Sequence, residues 1–207
     1  MNALLTTAYW PNLHYFYYVF NSDVLFIEQF ENYQKQSYRN RTHILTANGV
    51  LSLSVPVKKN AQKELTKNIH ICYKENWPVK HWRAITSAYK NSPYFDYFEE
   101  ELQDFYTHDF EFLLDYNLKQ LQFVFKLLKV KKEIVLTSEF EKSPIDVLDL
   151  RNTIHPKVNL ENDARVAGIL TKPYYQTFES KFEFQPNLSV LDLLLNKGLG
   201  TLDYFNF

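Results

Sequence analysis

Residues 3–27 set two short apolar runs on either side of an aromatic segment, and this order constrains the fold more than any other stretch. Ala3 to Tyr9 reads as a buried strand, and Val24 to Ile27 as a second. Between them stands PNLHYFYYVFN, residues 11–21. Proline fits the first turn of a helix, where its missing N–H would have no partner anyway. Asn21-Ser22-Asp23 supplies a turn before the second strand. Strand, helix and strand within about thirty residues have the length of a right-handed βαβ unit, whose two strands lie parallel.

The next segment adds antiparallel pairing. In HILTANGVLSLSVPVKK, residues 43–59, Asn48-Gly49 stands between two β-rich runs, and Asn-Gly is the preferred two-residue hairpin turn. Leu51, Leu53, Val55 and Val57 alternate with Ser52, Ser54 and Pro56, the period of a strand. Pro56 places that strand at an end or an edge. Residues 58–68 are polar and lysine-rich and read as a mobile loop; Ile69 to Tyr73 reads as a further strand.

From residue 78 the period becomes helical. Pro78 starts a helix holding His81, Trp82, Ile85 and Tyr89, and Ser92-Pro93 breaks it. Residues 96–106 and 110–129 continue, the latter with Leu113, Leu114, Leu118, Leu121, Val124, Phe125 and Leu128 on one broad face. Glu133 to Leu136 reads as a strand. Residues 141–187 are irregular, with prolines at 144, 156, 173 and 186. Ser189 caps a final short helix, with Asp192 in its first turn and Gly198 as its stop. The expected architecture is α/β (or α+β): an N-terminal βαβ-like unit and a hairpin in one mixed sheet, a helical middle and a short C-terminal helix. One domain is expected over 1–207, with the α/β core at 1–140 and the irregular segment 141–207 packed on it; 207 residues can bury a sizeable core.

Composition narrows the function. A net charge of −1 argues against a general nucleic-acid binder, whose affinity comes from many phosphate contacts. No apolar run approaches the roughly 20 residues of a membrane span. The first twenty residues lack a basic start and an uninterrupted apolar run, so no secretory signal is expected. Cys72 is the one cysteine, which suits a cytoplasmic location, and it reads as a small buried core residue. Several-thiolate zinc sites are thereby excluded, and six scattered histidines give no metal-ligand spacing, so no metal is expected and no cofactor is named. Four glycines leave no phosphate-cradling loop. Any phosphate must then be held by side chains or a helix N-terminus.

Three stretches offer such groups. YQKQSYRNR, residues 33–41, gathers Lys35, Arg39 and Arg41 with Tyr33, Tyr38 and Asn40. Arginine forks bind phosphate or carboxylate in two-pronged fashion, and the tyrosines offer faces to a base or sugar ring. The alternative is a structural ion-pair cluster with Glu28 or Glu31. WPNLHYF, residues 10–16, would lie at the C-terminal end of a parallel sheet, where α/β folds place ligands. Here Trp10 and Asn12 precede His14, which falls on the first helical turn beside free N–H groups and would act as acid, base or phosphate donor. The alternative is a partly buried histidine among aromatics. Nucleotidylyltransferases share this strand, Pro/His helix and downstream Lys/Arg order, but their paired-histidine motif is absent. The third stretch, residues 81–95, offers His81 on a helix whose Trp82, Ile85 and Tyr89 face the core, with Tyr94 and Phe95 beyond the Ser-Pro break.

TAYWPNLHYF, ENYQKQSYRNRTHI, LSVPVKK, HWRAITSAYKNSPYFDYF and FQPNLSVLDLLLNKG follow one another in the order of the WbqC-like proteins, and the chain resembles that family over nearly its whole length, in the form common in Bacteroidota. Many members carry a Gln-Pro pair and a glycine before Tyr-Phe; here those places hold Thr6-Thr7 and His14. The resemblance implies a place in O-antigen-like surface-polysaccharide biosynthesis. It implies a cytoplasmic transferase acting on a nucleotide- or carrier-linked sugar, adding glycine or another acyl or aminoacyl group. Lys35, Arg39 and Arg41 would then hold phosphate, Tyr33, Tyr38 or Trp10 would stack on a ring, and His14 would exchange the proton. Asn12, Asn40 and His81 would complete the lining. Three alternatives stand beside it: a non-catalytic module that reads a sugar nucleotide or docks on an assembly enzyme, a nucleotidyltransferase-like activity, and an aromatic surface that pairs two copies of the chain.

Overall fold

A computed structural model of the chain describes residues 1–58 and 64–205. Four short strands form an all-parallel sheet in the order β5-β2-β1-β6. They are β1 (Ala3–Thr6), β2 (Val24–Glu28), β5 (Glu133–Leu136) and β6 (Leu148–Asp149). Helix α1 (Leu13–Asn21) is the crossover from β1 to β2, which pair from Ala3↔Leu25 to Thr6↔Glu28. One face of the sheet carries Leu5, Leu25 and Ile27, all buried. Ile27 meets Tyr15 of α1 and Leu118 and Leu121 of α4 (Leu113–Leu128) around a small void. Leu4, Phe26 and Val135 share the opposite face, because parallel pairing keeps them in register.

The chain is mixed α/β, as its sequence predicts, with three local differences. The first strand stops at Thr6, and Pro11 precedes the helix N-cap Asn12. Residues 7–12 are needed as a connector that threads between other elements. Second, the hairpin β3 (Arg41–Thr46) and β4 (Gly49–Ser54) is a sheet of its own and does not join the parallel one. The outer edge of β3 is occupied otherwise: the His43 carbonyl accepts from Ser189 N at 2.8 Å, and the Thr42 hydroxyl donates to the Trp10 carbonyl. Its turn is displaced by one residue, since Thr46 pairs with Gly49 and Ala47-Asn48 lie between them. Gly49 takes φ +97°, a value side-chain-bearing residues rarely adopt. Third, residues 69–73 form no strand. Ile71 makes a single bridge to Val57, and His70 one to Phe112. Cys72 is half-buried, not buried. Of the polar run 58–68, residues 59–63 lie outside the described residues, and Thr66–Asn68 form a 3-10 turn.

The helical middle comprises α2 (Trp77–Tyr89), α3 (Phe95–Thr107) and α4, with Ser92-Pro93 in the break. Two short helices, α5 (Ala167–Leu170) and α7 (Thr201–Phe205), and the two-residue β6 carry too few residues to show a period in the sequence. Helix α6 (Val190–Lys197) starts where predicted: the Ser189 hydroxyl accepts from Leu191 N. It is buried almost all round, and one apolar cluster runs from Ala3 through the helical middle to Phe205.

Candidate functional site

The C-terminal ends of β1, β2 and β6 bring together the chemistry-bearing side chains. The connector after β1 is held from all sides. Trp10 has φ +36°, a strained value for a bulky residue costing of order 1–3 kcal/mol. Its N–H donates to Gln120 Oε1, its carbonyl accepts from the hydroxyls of Thr42 and Ser189, and its indole N–H donates to Tyr106. The ring is wholly buried against Phe105 and Phe123, so it is closed to a stacking ligand.

The start of α1 is occupied as well. Leu13 N donates to the Leu188 carbonyl, His14 N to Asn187 Oδ1 and Tyr15 N to Asn12 Oδ1. The free N–H groups expected beside His14 are therefore taken. His14 is itself buried, and its Nε2 lies 3.0 Å from Asp163 Oδ2, which also accepts from the Tyr18 hydroxyl at 2.6 Å. Burial lowers the His14 pKa, and Asp163 opposes the shift only in part. Burial pushes the Asp163 carboxyl up, but the hydrogen bonds from Tyr18 and His14 outweigh it and hold Asp163 below its usual range. Both shifts favour a neutral imidazole beside an ionised carboxylate, and with Nε2 on Asp163 the other ring nitrogen, Nδ1, is the one that would exchange a proton.

Two buried arginines stand beyond the strand ends. Arg39 donates Nε and Nη2 to the two oxygens of Glu31, at 2.8 and 2.6 Å, and is 2% exposed. This is the ion pair raised as the alternative for that stretch. Arg151, beyond β6, bridges strands: Nη1 donates to Glu28 Oε2, Nε and Nη2 to Asp149, and Nη2 to the Glu141 carbonyl. Glu28 also accepts from Phe30 N and the Thr137 hydroxyl. The two pairs sense each other, since Glu28 and Arg151 both act on the Glu31 carboxyl. His155 lies within range of Arg39, and burial followed by that cation lowers its pKa.

Arg41 differs from both. It is half-buried, its Nε donates to Ser54 Oγ at 3.2 Å, and it has no acidic partner among the described residues. Tyr33, Tyr38 and His43 lie within its electrostatic reach. Burial raises the Tyr33 pKa to about 12 against the pull of Arg39 and Arg41. Burial also raises Tyr38, opposed by Asn12 and Arg41, and lowers His43, with Arg41 adding to the effect. The Tyr38 and His43 rings meet edge to face at 5.8 Å. Asn40 donates to the Val55 carbonyl, and Lys35 is exposed. Arg41, Tyr33, Tyr38 and Asn12 are thus gathered in space. His81 reaches the backbone of Ser54, the residue that accepts from Arg41 Nε, but is more deeply buried than Arg41. Its Nδ1 lies 2.9 Å from the Tyr9 hydroxyl inside the core, and burial drops its pKa to about 4.

Sequence reading missed Asp163, Asp149, Arg151 and His155, all in the irregular segment, where no period or motif marks a residue. It also passed over Asp192 as a first-turn residue of α6. This carboxyl is wholly buried and accepts from Tyr89, Tyr174 and Gln176. Among the described residues no group of three or more His, Cys, Asp or Glu is placed to hold a metal ion.

The model of the WbqC-like protein family matches residues 7–168, which takes in the connector, both arginine pairs, Arg41 and Asp163. The uncharacterized protein Rv1507c of Mycobacterium tuberculosis is 23% identical over 227 aligned positions, spanning 99% of this chain and 97% of that one. No solved structure matches the chain. With the family pattern laid over most of its length and over every cluster at the strand ends, the chain belongs to the WbqC-like protein family.

Proposed function

We propose that the chain is a group-transfer enzyme that takes a nucleotide- or carrier-linked sugar of surface-polysaccharide biosynthesis at the C-terminal edge of its parallel sheet, and adds an acyl or aminoacyl group such as glycine. One observation carries the reading. Arg41 is a half-buried cation with no acidic partner among the described residues, set among Tyr33, Tyr38 and His43. A guanidinium left without a carboxylate is free to take a phosphate, and the aromatic faces suit a base or sugar ring. The Tyr38 carbonyl accepts from Tyr9 N and the Thr42 hydroxyl donates to the Trp10 carbonyl, which ties this group to the connector leaving β1, and α/β folds hold ligands at such strand ends. Lys35 would add charge from the rim, and His14, oriented by Asp163, would exchange the proton through Nδ1.

A non-catalytic sugar-nucleotide module is the second reading, favoured by the burial of His14. Calorimetric titration of the chain with uridine and thymidine diphosphate sugars tests the common part. Binding that is lost in Arg41→Ala supports the site, and binding unchanged in that variant removes it. Turnover of a bound sugar nucleotide with an acyl or aminoacyl donor, lost in His14→Gln, then separates enzyme from module.

A further inference from the structure

A cleft of about 400 Å³ lies on the sheet face away from α1 and α4. Its floor is Leu4, Phe26 and Val135, side by side in register. Residues 137–147 border it without helix or strand. Small-molecule sites occupy roughly 300–1,000 Å³ and are mostly apolar with a few polar groups. Parallel sheets are ordinarily covered on both faces, yet here Ile145, at the cleft, is 82% exposed.

Acidic side chains outnumber basic ones at this cleft. Glu28, Glu139 and Glu141 line it, and Asp149 is the register partner of Leu4 on the same face. Arg151 is the cation here, and its guanidinium is held by the carboxylates of Glu28 and Asp149 and by the Glu141 backbone carbonyl. Three carboxylates line the cleft; Arg151 pairs with Glu28 and with Asp149, which leaves Glu139 and Glu141 at the mouth with no cation among the lining residues, and Lys142, exposed in the bordering segment, is not one of those residues. A phosphate or carboxylate would be repelled there, whereas an ammonium would be drawn in. We infer that this cleft binds a primary amine carried on an apolar body, the body on Leu4, Phe26 and Val135 and the ammonium at the glutamate rim. The inference does not depend on a sugar nucleotide binding at Arg41.

Titrating the methyl-labelled full chain with n-hexylamine, and with hexanoate as its opposite-charge match, tests this by NMR. Saturable shifts at the methyls of Leu4, Val135 and Ile145 are expected with the amine, at an affinity at least about tenfold above that of hexanoate. The Glu139→Gln/Glu141→Gln variant changes two exposed side chains. It should weaken the amine by roughly two- to fivefold for each carboxylate lost and leave hexanoate no weaker. Hexylamine that leaves those methyls unmoved, hexanoate that binds as tightly, or amine affinity unchanged in the double variant would each overturn the inference.

Discussion

Arg39 and Glu31 face each other through two parallel hydrogen bonds, Nε to Oε1 at 2.8 Å and Nη2 to Oε2 at 2.6 Å, with both side chains buried. Removing one member of such a pair strands a charge away from water, and costs about 3–5 kcal/mol. Arg39→Ala should therefore lose that much stability in urea denaturation. Arg39→Ala combined with Glu31→Leu should recover part of it, because the stranded carboxylate is gone. A double variant no more stable than Arg39→Ala would show that Glu31 is not stranded by the loss.

Arg41 should behave differently. It contributes one side-chain hydrogen bond and the packing of its stem, so Arg41→Ala should cost less than about 1 kcal/mol. Loss of sugar-nucleotide binding in Arg41→Ala with a nearly unchanged urea midpoint is the expected pair of results. Lost binding in Arg39→Ala, by contrast, would accompany a weakened fold and would not mark a ligand contact.

Asp192 links stability to pH. Burial raises its pKa to about 6 from the ordinary 3.8, although hydrogen bonds from Tyr174, Gln176 and Tyr89 oppose the shift. The folded chain thus holds this proton more tightly than the unfolded chain does. The stabilising contribution is fully present below pH about 4 and is lost as pH rises through about 6, on the order of 2–3 kcal/mol in all. Asp149 and Asp163 have lowered pKa values and act in the opposite sense, so the comparison must be with a variant. The stability difference between wild type and Asp192→Asn should shift between pH 4 and 7 in the variant's favour. A constant difference would mean that Asp192 is not protonated in the fold.

Histidine NMR reports on the His14 pair. Burial holds His14 below its ordinary pKa, and the Asp163 carboxylate pulls the other way. Asp163→Asn should lower the His14 midpoint further, because only the opposing effect is removed. Tyr18→Phe deletes one hydrogen bond to Asp163, and should cost about 1 kcal/mol of stability. A His14 midpoint that rises in Asp163→Asn would contradict the ionised carboxylate.

Sequence alone determined the class of this protein and most of its elements. Apolar period and local turn chemistry are properties of neighbouring residues, and they marked β1, α1, β2 and β5, the break at Ser92-Pro93 and the Ser189 cap. Local signals could not decide whether the hairpin would join the parallel sheet. That choice rests on which partner reaches the β3 edge, and Ser189, far along the chain, reaches it. The arginines show the same division. YQKQSYRNR displays two guanidiniums two residues apart with nothing to tell them apart. Tertiary packing sinks Arg39 onto Glu31 and leaves Arg41 half-buried among tyrosines without a carboxylate. It also brings Asp163 to His14 and Arg151 to Glu28 across 149 and 123 residues. Electrostatic roles depend on burial and on distant partners, and these exist only once the chain has folded.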